Sequence, residues 1–450
     1  MGDQSLTSEK LIRLLNTSIS PCQVTDPHFC EKLSELIGDA RLVLMGEATH
    51  GTREFYQARI ALSQYLIQNK GFQAIAIEGD WTSVYPLHRF CQGAAEIAEI
   101  HKAFSGIKRF PRWMWRNTTI VGFLEWLKIR NSMAKIPAEK VAFYGLDLYC
   151  LHDAAQAVID YLKIYHPEAM NEAIRRYACF DHVGGKLEHY GYLVKTKFKE
   201  SCVKEVTAQL LEMQRLVYQN IGASLEDKER QFYALQNARV VKNAENYYQS
   251  LFEPHHVTWN IRDQHMADTL QNIIAHLESI HNVPAKVIVW AHNSHVGDAR
   301  ATEMSYHNEI NLGQLVRERF GKETFLLGFS TATGTVTAAS KWNGEAHIKK
   351  VQLPLPGSYE WLFHQAKDED FILNLRDDKP LITLLKSSQL QRAIGVIYLP
   401  ESERDSHYYF SHLPNQFDAI VHLDKTHAIV PLDLESKQAS DLPDTYPEGL

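Results

Sequence analysis

Arg41-Leu-Val-Leu-Met45, followed at once by Gly46-Glu47-Ala48-Thr49-His50-Gly51, is the stretch whose reading decides the fold. Four consecutive apolar residues leave no polar face, so the run reads as a short strand buried on both sides. The same layout recurs at Phe72-Gln-Ala-Ile-Ala-Ile77 before Glu78-Gly79-Asp80-Trp81, and at Lys140-Val-Ala-Phe-Tyr144 before Gly145-Leu146-Asp147. It returns at Lys286-Val-Ile-Val-Trp290 before Ala291-His292-Asn293-Ser294-His295. Further runs are Phe325 to Phe329, Ala393 to Tyr398 and Asp418 to His422. Helical spacing between the first three, over Glu54 to Gln68 and Val121 to Met133, makes this an α/β chain: a largely parallel sheet flanked by helices in three layers.

From about Asp153 to Ser279 the pattern changes to helix almost throughout, as in Val206-Leu210-Met213 and Leu235-Ala238-Val241. We read residues 1–150 as the first part of the α/β core and 151–280 as a mainly helical insertion forming one wall of a cleft. Residues 281–435 then complete the core, and 436–450 form a flexible tail. Gly184-Gly185 and the Asn220 to Ser224 segment are the expected breaks inside the insertion.

Bulk properties narrow the function. A formal net charge of −7 over 450 residues gives no footprint for nucleic acid or an anionic membrane. No apolar run approaches the length of a bilayer span, and the N-terminus lacks a secretory signal, so the expected address is the cytoplasm. Cys22, Cys30, Cys91, Cys150, Cys179 and Cys202 show no paired spacing, so reduced, mostly buried thiols are expected.

Open α/β sheets bind ligands beyond the carboxyl ends of their strands. A parallel arrangement of these strands brings Glu47, His50, Glu78, Asp147, His292 and His295 to one edge. Each residue also has a structural explanation. Glu47 suits the dipole of the following helix and Thr49 its cap. A carboxylate at Glu78, hard against the core, needs a cation, and Arg59 is the natural partner. Asp147 suits turn amides, and either histidine can be a satisfied core residue. Asp80 and Trp81, in the same exit as Glu78, are expected to face substrate, and Asp147 is the further substrate-binding candidate from the third exit.

There is no GxSxG elbow, Walker A loop or GxGxxG motif, so serine nucleophiles, phosphate cradles and dinucleotides lack support. Water activated by a protein base is the economical chemistry: a neutral histidine takes its proton, and a carboxylate on the other ring nitrogen fixes the tautomer. The alternative is a divalent metal held by Glu47, His50, Glu78, His292 and His295. Phe110-Pro-Arg-Trp-Met-Trp-Arg-Asn117 offers Trp113 and Arg116 to a substrate cleft, or simply packs aromatics against helices. Thr331 to Thr337 reads as a hairpin turn and His407 as a surface histidine.

The run Gly46-Glu-Ala-Thr-His-Gly-Thr-Arg-Glu54 with Arg59, Glu78 after the second strand, Phe110-Pro-x-Trp-x-Trp, and Trp290-Ala-His-Asn-Ser-His295 together resemble the erythromycin esterase family. The resemblance extends from about Arg41 to Leu432. It implies an α/β core, a helical portion and a deep cleft between them. It also implies hydrolysis of a carboxylic ester or lactone by water without a covalent serine, as in macrolide ring-opening by bacterial antibiotic-resistance enzymes. His50 would correspond to the base, and Glu47, Arg59, Glu78, His292 and His295 to orienting or stabilising groups. No cofactor is implied, and the expected partner is a small-molecule ester or lactone. More distant relatives include metal-dependent proteases and haem-binding proteins, which keeps a metallohydrolase and a binding protein without turnover as alternatives.

Overall fold

A computed structural model of the chain describes residues 2–183, 187–219, 224–376 and 379–432. The Gly184-Gly185 break, most of the Asn220 to Ser224 break and the tail from 436 lie outside them. The strands are β1 (Ser20–Pro21), β2 (Leu42–Met45), β3 (Ala74–Asp80), β4 (Ala142–Asp147), β5 (Val287–Trp290), β6 (Thr324–Ser330) and β7 (Thr333–Ala338). They continue with β8 (His347–Val351), β9 (Asp370–Asn374), β10 (Gln389–Arg392), β11 (Tyr408–Ser411), β12 (Ala419–Leu423) and β13 (Lys425–Thr426). The chain divides into two compact units: Met1–Ile75, Arg109–Trp126 and Lys286–Leu450 form the first, and Ala76–Lys108 with Leu127–Ala285 form the second.

The first unit is a mixed α/β body built on a parallel-rich sheet. Strand β5 pairs with β2, β2 with β6 and β6 with β12, all parallel. Strand β9 then pairs antiparallel with β12, and β1 with β9. Every residue of β2 and β5 is buried, which is why both read as uninterrupted apolar runs. Their register sets Met45 opposite Trp290, so the polar exits after both strands leave the sheet at the same edge.

The helix Arg53–Lys70 follows β2 and stops at Gly71, whose φ of 70° gives the left-handed cap that glycine adopts without strain. Its buried stripe is Phe55, Tyr56, Arg59, Leu62, Ser63, Leu66 and Ile67. The spacing is that of one helical face, so Arg59 is carried inward with its apolar neighbours.

The second unit holds β4, most of β3 and the helical stretch, including Leu225–Gln249 and His255–His281. Within it, a Cβ on Gly145 of β4 would lie 2.4 Å from the Gly79 carbonyl of β3, so only glycine permits this approach of the two strands. No described helix is long and apolar enough to cross a membrane.

Four expectations are corrected. Ala393 to Tyr398 is no strand: its burial explains its apolar character, but its backbone makes only isolated bridges, Ile394 to Thr49 and Ile397 to Ala339. Thr331 to Thr337 is no turn, because its threonines and valine extend into β7, which pairs with β8. His407 is buried, its Nε2 accepting from Leu399 N at 3.0 Å, and burial pushes its pKa down to about 4. Cys179 and Cys202 are joined in a disulfide across 23 residues, a pairing their spacing does not announce.

Candidate active site

The exit from β2 begins at Gly46, where a Cβ would fall 2.0 Å from Asn293 Oδ1. Asn293 fills that space because its side chain is bound at both ends: Nδ2 donates to the Phe329 carbonyl at 2.7 Å and Oδ1 accepts from Phe329 N at 3.2 Å. Asn293 N also donates to the Glu47 carbonyl at 2.9 Å, so the exits from β2 and β5 are stitched together. Gly51 closes the segment, its absent Cβ leaving room for the Thr337 carbonyl, which would otherwise be 1.9 Å away.

Between these glycines, Glu47 is fully buried and uses both oxygens. Oε1 meets His50 Nδ1 at 2.9 Å, and Oε2 accepts from Arg59 Nη2 at 2.6 Å. The structure thus pairs Arg59 with Glu47, not with Glu78. Neither Glu47 nor Thr49 serves the helix start: Thr52 is the N-cap, and the Thr49 hydroxyl is spent on the Thr52 hydroxyl. A carboxylate that already accepts from a guanidinium offers its other oxygen as an acceptor too. The proton between Glu47 and His50 therefore sits on Nδ1, and the lone pair of His50 is on Nε2.

His292 has the opposite tautomer. It caps the short helix Asn293–Val296, its Nδ1 accepting from Ser294 N at 3.3 Å, with the Ser294 hydroxyl 2.9 Å away. A nitrogen that accepts carries no proton, so Nε2 of His292 is the donor. The His50 and His292 ring centroids are 4.8 Å apart. One imidazole thus offers a lone pair and its neighbour an N–H. His295 is buried one turn further on in the same short helix. Among the described residues, no group of three or more His, Cys, Asp or Glu side chains is arranged to hold a metal ion.

The first unit therefore brings together Glu47, His50, Arg59 and His292, with His295 buried three residues beyond His292 in the same short helix. Glu78, Asp80, Trp81 and Asp147 belong to the second, where Glu78 and Asp147 meet a residue the sequence reading missed. Arg262, from the helix His255–His281, donates to Glu78 Oε1 at 2.8 Å and grips Asp147 through Nη2 at 2.7 Å and Nε at 3.1 Å. Burial opposes its charge, but Asp147, Tyr149 and Glu78 outweigh that cost and hold its pKa well above the ordinary value. Asp147 also accepts from Leu148 N at 3.1 Å, as a turn carboxylate should. Asp80 Oδ1 accepts from Tyr149 N at 3.0 Å, and Trp81 stacks on Tyr144 with centroids 5.5 Å apart.

In the Phe110–Asn117 segment, Trp113 is buried and Arg116 half-buried. Asn117 ties the segment to the helix that follows, accepting from Ile120 N at 2.9 Å and donating to the Met114 carbonyl at 3.0 Å. Tyr56, also missed, has its hydroxyl 2.9 Å from both the His50 and Met114 carbonyl oxygens.

An α/β protein with a parallel-rich sheet, carrying a buried Arg–Glu–His array and a second imidazole at one strand edge, is the class that fold and site define. The chain belongs to the erythromycin esterase family, whose family profile matches residues 67–426. It is 22% identical over 346 residues to erythromycin esterase type II of Escherichia coli, covering 73% of this chain and 79% of that protein. To erythromycin esterase type I of Escherichia coli it is 25% identical over 331 residues, covering 68% and 74%. Among solved structures it is similar to a Bacillus cereus protein (TM-score 0.77, 20% identity, 95% of this chain and 99% of that one). It is also similar to a mutant of the erythromycin esterase EreC in its open conformation (TM-score 0.67, 17% identity, 91% and 97%).

Proposed function

We propose that the chain hydrolyses a carboxylic ester or lactone by direct attack of water, with His50 as general base. His50 Nε2 takes a proton from water as the oxygen attacks the acyl carbon. The imidazolium so formed is stabilised through Nδ1–H by Glu47, whose second oxygen is neutralised by Arg59. The Nε2–H of His292 is the donor suited to the oxyanion that develops on the carbonyl, and His295 supports the same edge. The proton then passes from His50 to the departing alkoxide, so the base is regenerated without an acyl-enzyme. The substrate is a small-molecule ester, with macrolactones among the candidates because the curated relatives bear the name of erythromycin esterases.

The observation that carries this reading is the 2.9 Å bond from His50 Nδ1 to Glu47, with the His292 ring 4.8 Å away. The test is a panel of aryl esters, simple lactones and macrolides assayed with the wild type and His50→Ala, with and without a chelator. Removal of the base should cost on the order of 10²–10⁴ in kcat, and chelation should cost nothing. Turnover that survives His50→Ala unchanged removes His50 from the role.

A further inference from the structure

We infer that Tyr56 is a positioning residue for the base, fixing the main chain and the side chain of His50 through two separate attachments. The inference rests on the reading of His50 given above. Tyr56 is wholly buried, on the inward stripe of the helix Arg53–Lys70 and one turn before Arg59. Its hydroxyl lies 2.9 Å from the His50 carbonyl oxygen and 2.9 Å from that of Met114. One phenol therefore registers the His50 loop against the Trp113–Arg116 segment.

The ring of Tyr56 does the second job. Among the described residues, Arg59 makes one hydrogen bond, Nη2 to Glu47, while its buried Nε and Nη1 have no hydrogen-bond partner. A guanidinium held by a single bond can still pivot about it. What remains to set its plane is aromatic: the Tyr56 ring, 4.5 Å from the Arg59 carbon, and the Trp290 ring at 5.3 Å. Trp290 is itself fixed by Nε1 donating to Ser63 Oγ at 3.1 Å.

The contacts close on themselves. His50 bonds Glu47, Glu47 bonds Arg59, Arg59 lies on Tyr56, and the Tyr56 hydroxyl returns to the His50 carbonyl. A base displaced by about 1 Å forfeits a large part of its rate advantage. Tyr56 thus works through Glu47 and the loop backbone without touching the reacting atoms.

Two variants separate the attachments. Tyr56→Phe keeps the ring and loses the hydroxyl; Tyr56→Leu loses both. With 4-nitrophenyl butyrate as the probe, Tyr56→Phe should lower kcat about tenfold with KM within about twofold, and Tyr56→Leu by about a hundredfold. A second readout needs no turnover: the downfield ¹H resonance of His50 Nδ1–H in histidine-labelled protein, assigned by its loss in His50→Gln. It should shift in Tyr56→Phe and vanish in Tyr56→Leu.

The control is Tyr359→Phe, whose hydroxyl also meets main-chain carbonyls, those of Leu385 at 2.9 Å and Ser411 at 3.1 Å. It should lose stability and leave kcat and the resonance alone. If Tyr56→Leu does not fold, Tyr56→Phe decides. If the wild type hydrolyses no ester, the hydrolytic reading falls and the resonance still decides the placement of His50. Unchanged kcat with an unchanged resonance in Tyr56→Phe overturns the inference, as does a wild type without a Glu47-dependent downfield signal.

Discussion

Replacing Arg59 by Met keeps the length and apolar stem of the side chain and removes its charge. Arg59 and Glu47 are both 0% exposed in their side chains and bonded at 2.6 Å, so solvent screens neither. Removing the arginine leaves the carboxylate, among the described residues, with one donor, the Nδ1–H of His50 at 2.9 Å. Breaking a buried pair from one side costs about 3–5 kcal/mol. Loss of the contacts with Tyr56 and Trp290 adds about 0.5–1 kcal/mol each. The sum is a loss of about 4–7 kcal/mol, roughly half the stability of an ordinary domain. Urea unfolding followed by tryptophan fluorescence measures it. The second arm is Glu47→Gln combined with Arg59→Met, which leaves no buried charge and should recover about 2 kcal/mol or more. A loss below about 1 kcal/mol for Arg59→Met, or costs that simply add in the double variant, would refute the reasoning.

Three other outcomes follow from the same structure. Burial raises the Glu360 pKa from 4.5 to about 7, against the pull of Arg392. The folded state therefore keeps a proton that the unfolded chain releases, and stability should fall by about 3 kcal/mol as pH rises from about 4.5 to about 7. Glu360→Gln should flatten that slope in pH-dependent urea titrations; an unchanged slope contradicts the assignment. Arg262→Met should destabilise the second unit by about 3–5 kcal/mol by stranding Glu78 and Asp147, and adding Asp147→Asn should recover part of the loss in thermal unfolding. Gly51→Ala should cost about 1–3 kcal/mol, because its methyl would collide with the Thr337 carbonyl; a neutral effect on the unfolding midpoint contradicts that contact.

The strand edges were legible because a buried parallel strand has no polar alternation to confuse it: Leu42 to Met45 and Val287 to Trp290 are apolar throughout, and the first polar residues after them mark the edge. The partners were not legible, because hydrogen bonding between distant segments has no local signature. Charge alone matches Arg59 to Glu78, whereas its place on the buried stripe of the helix after β2 gives it Glu47. Arg262 lies 184 residues from Glu78, yet one signal was present: an arginine inside the apolar stripe Trp259, Met266, Leu270 and Ile273. Charge in such a stripe demands a buried partner. Tyr56 sat in a similar stripe and looked like core, since nothing local says where a phenol hydroxyl goes. Ala393 to Tyr398 had the composition of a strand because it is buried, and burial is what the pattern reports.

In the proposed reaction water, and not a side chain, makes the new bond to the acyl carbon while His50 holds the proton. A single turnover in ¹⁸O-enriched water, with enzyme in excess over whichever ester of the panel is cleaved, tests this directly. One ¹⁸O should enter the product carboxylate on the first turnover, with none in the protein, and the same experiment with His50→Ala should yield no labelled product on that timescale. Unlabelled first-turnover product, with the heavy isotope appearing instead in a glutamate or aspartate of the protein, would contradict it.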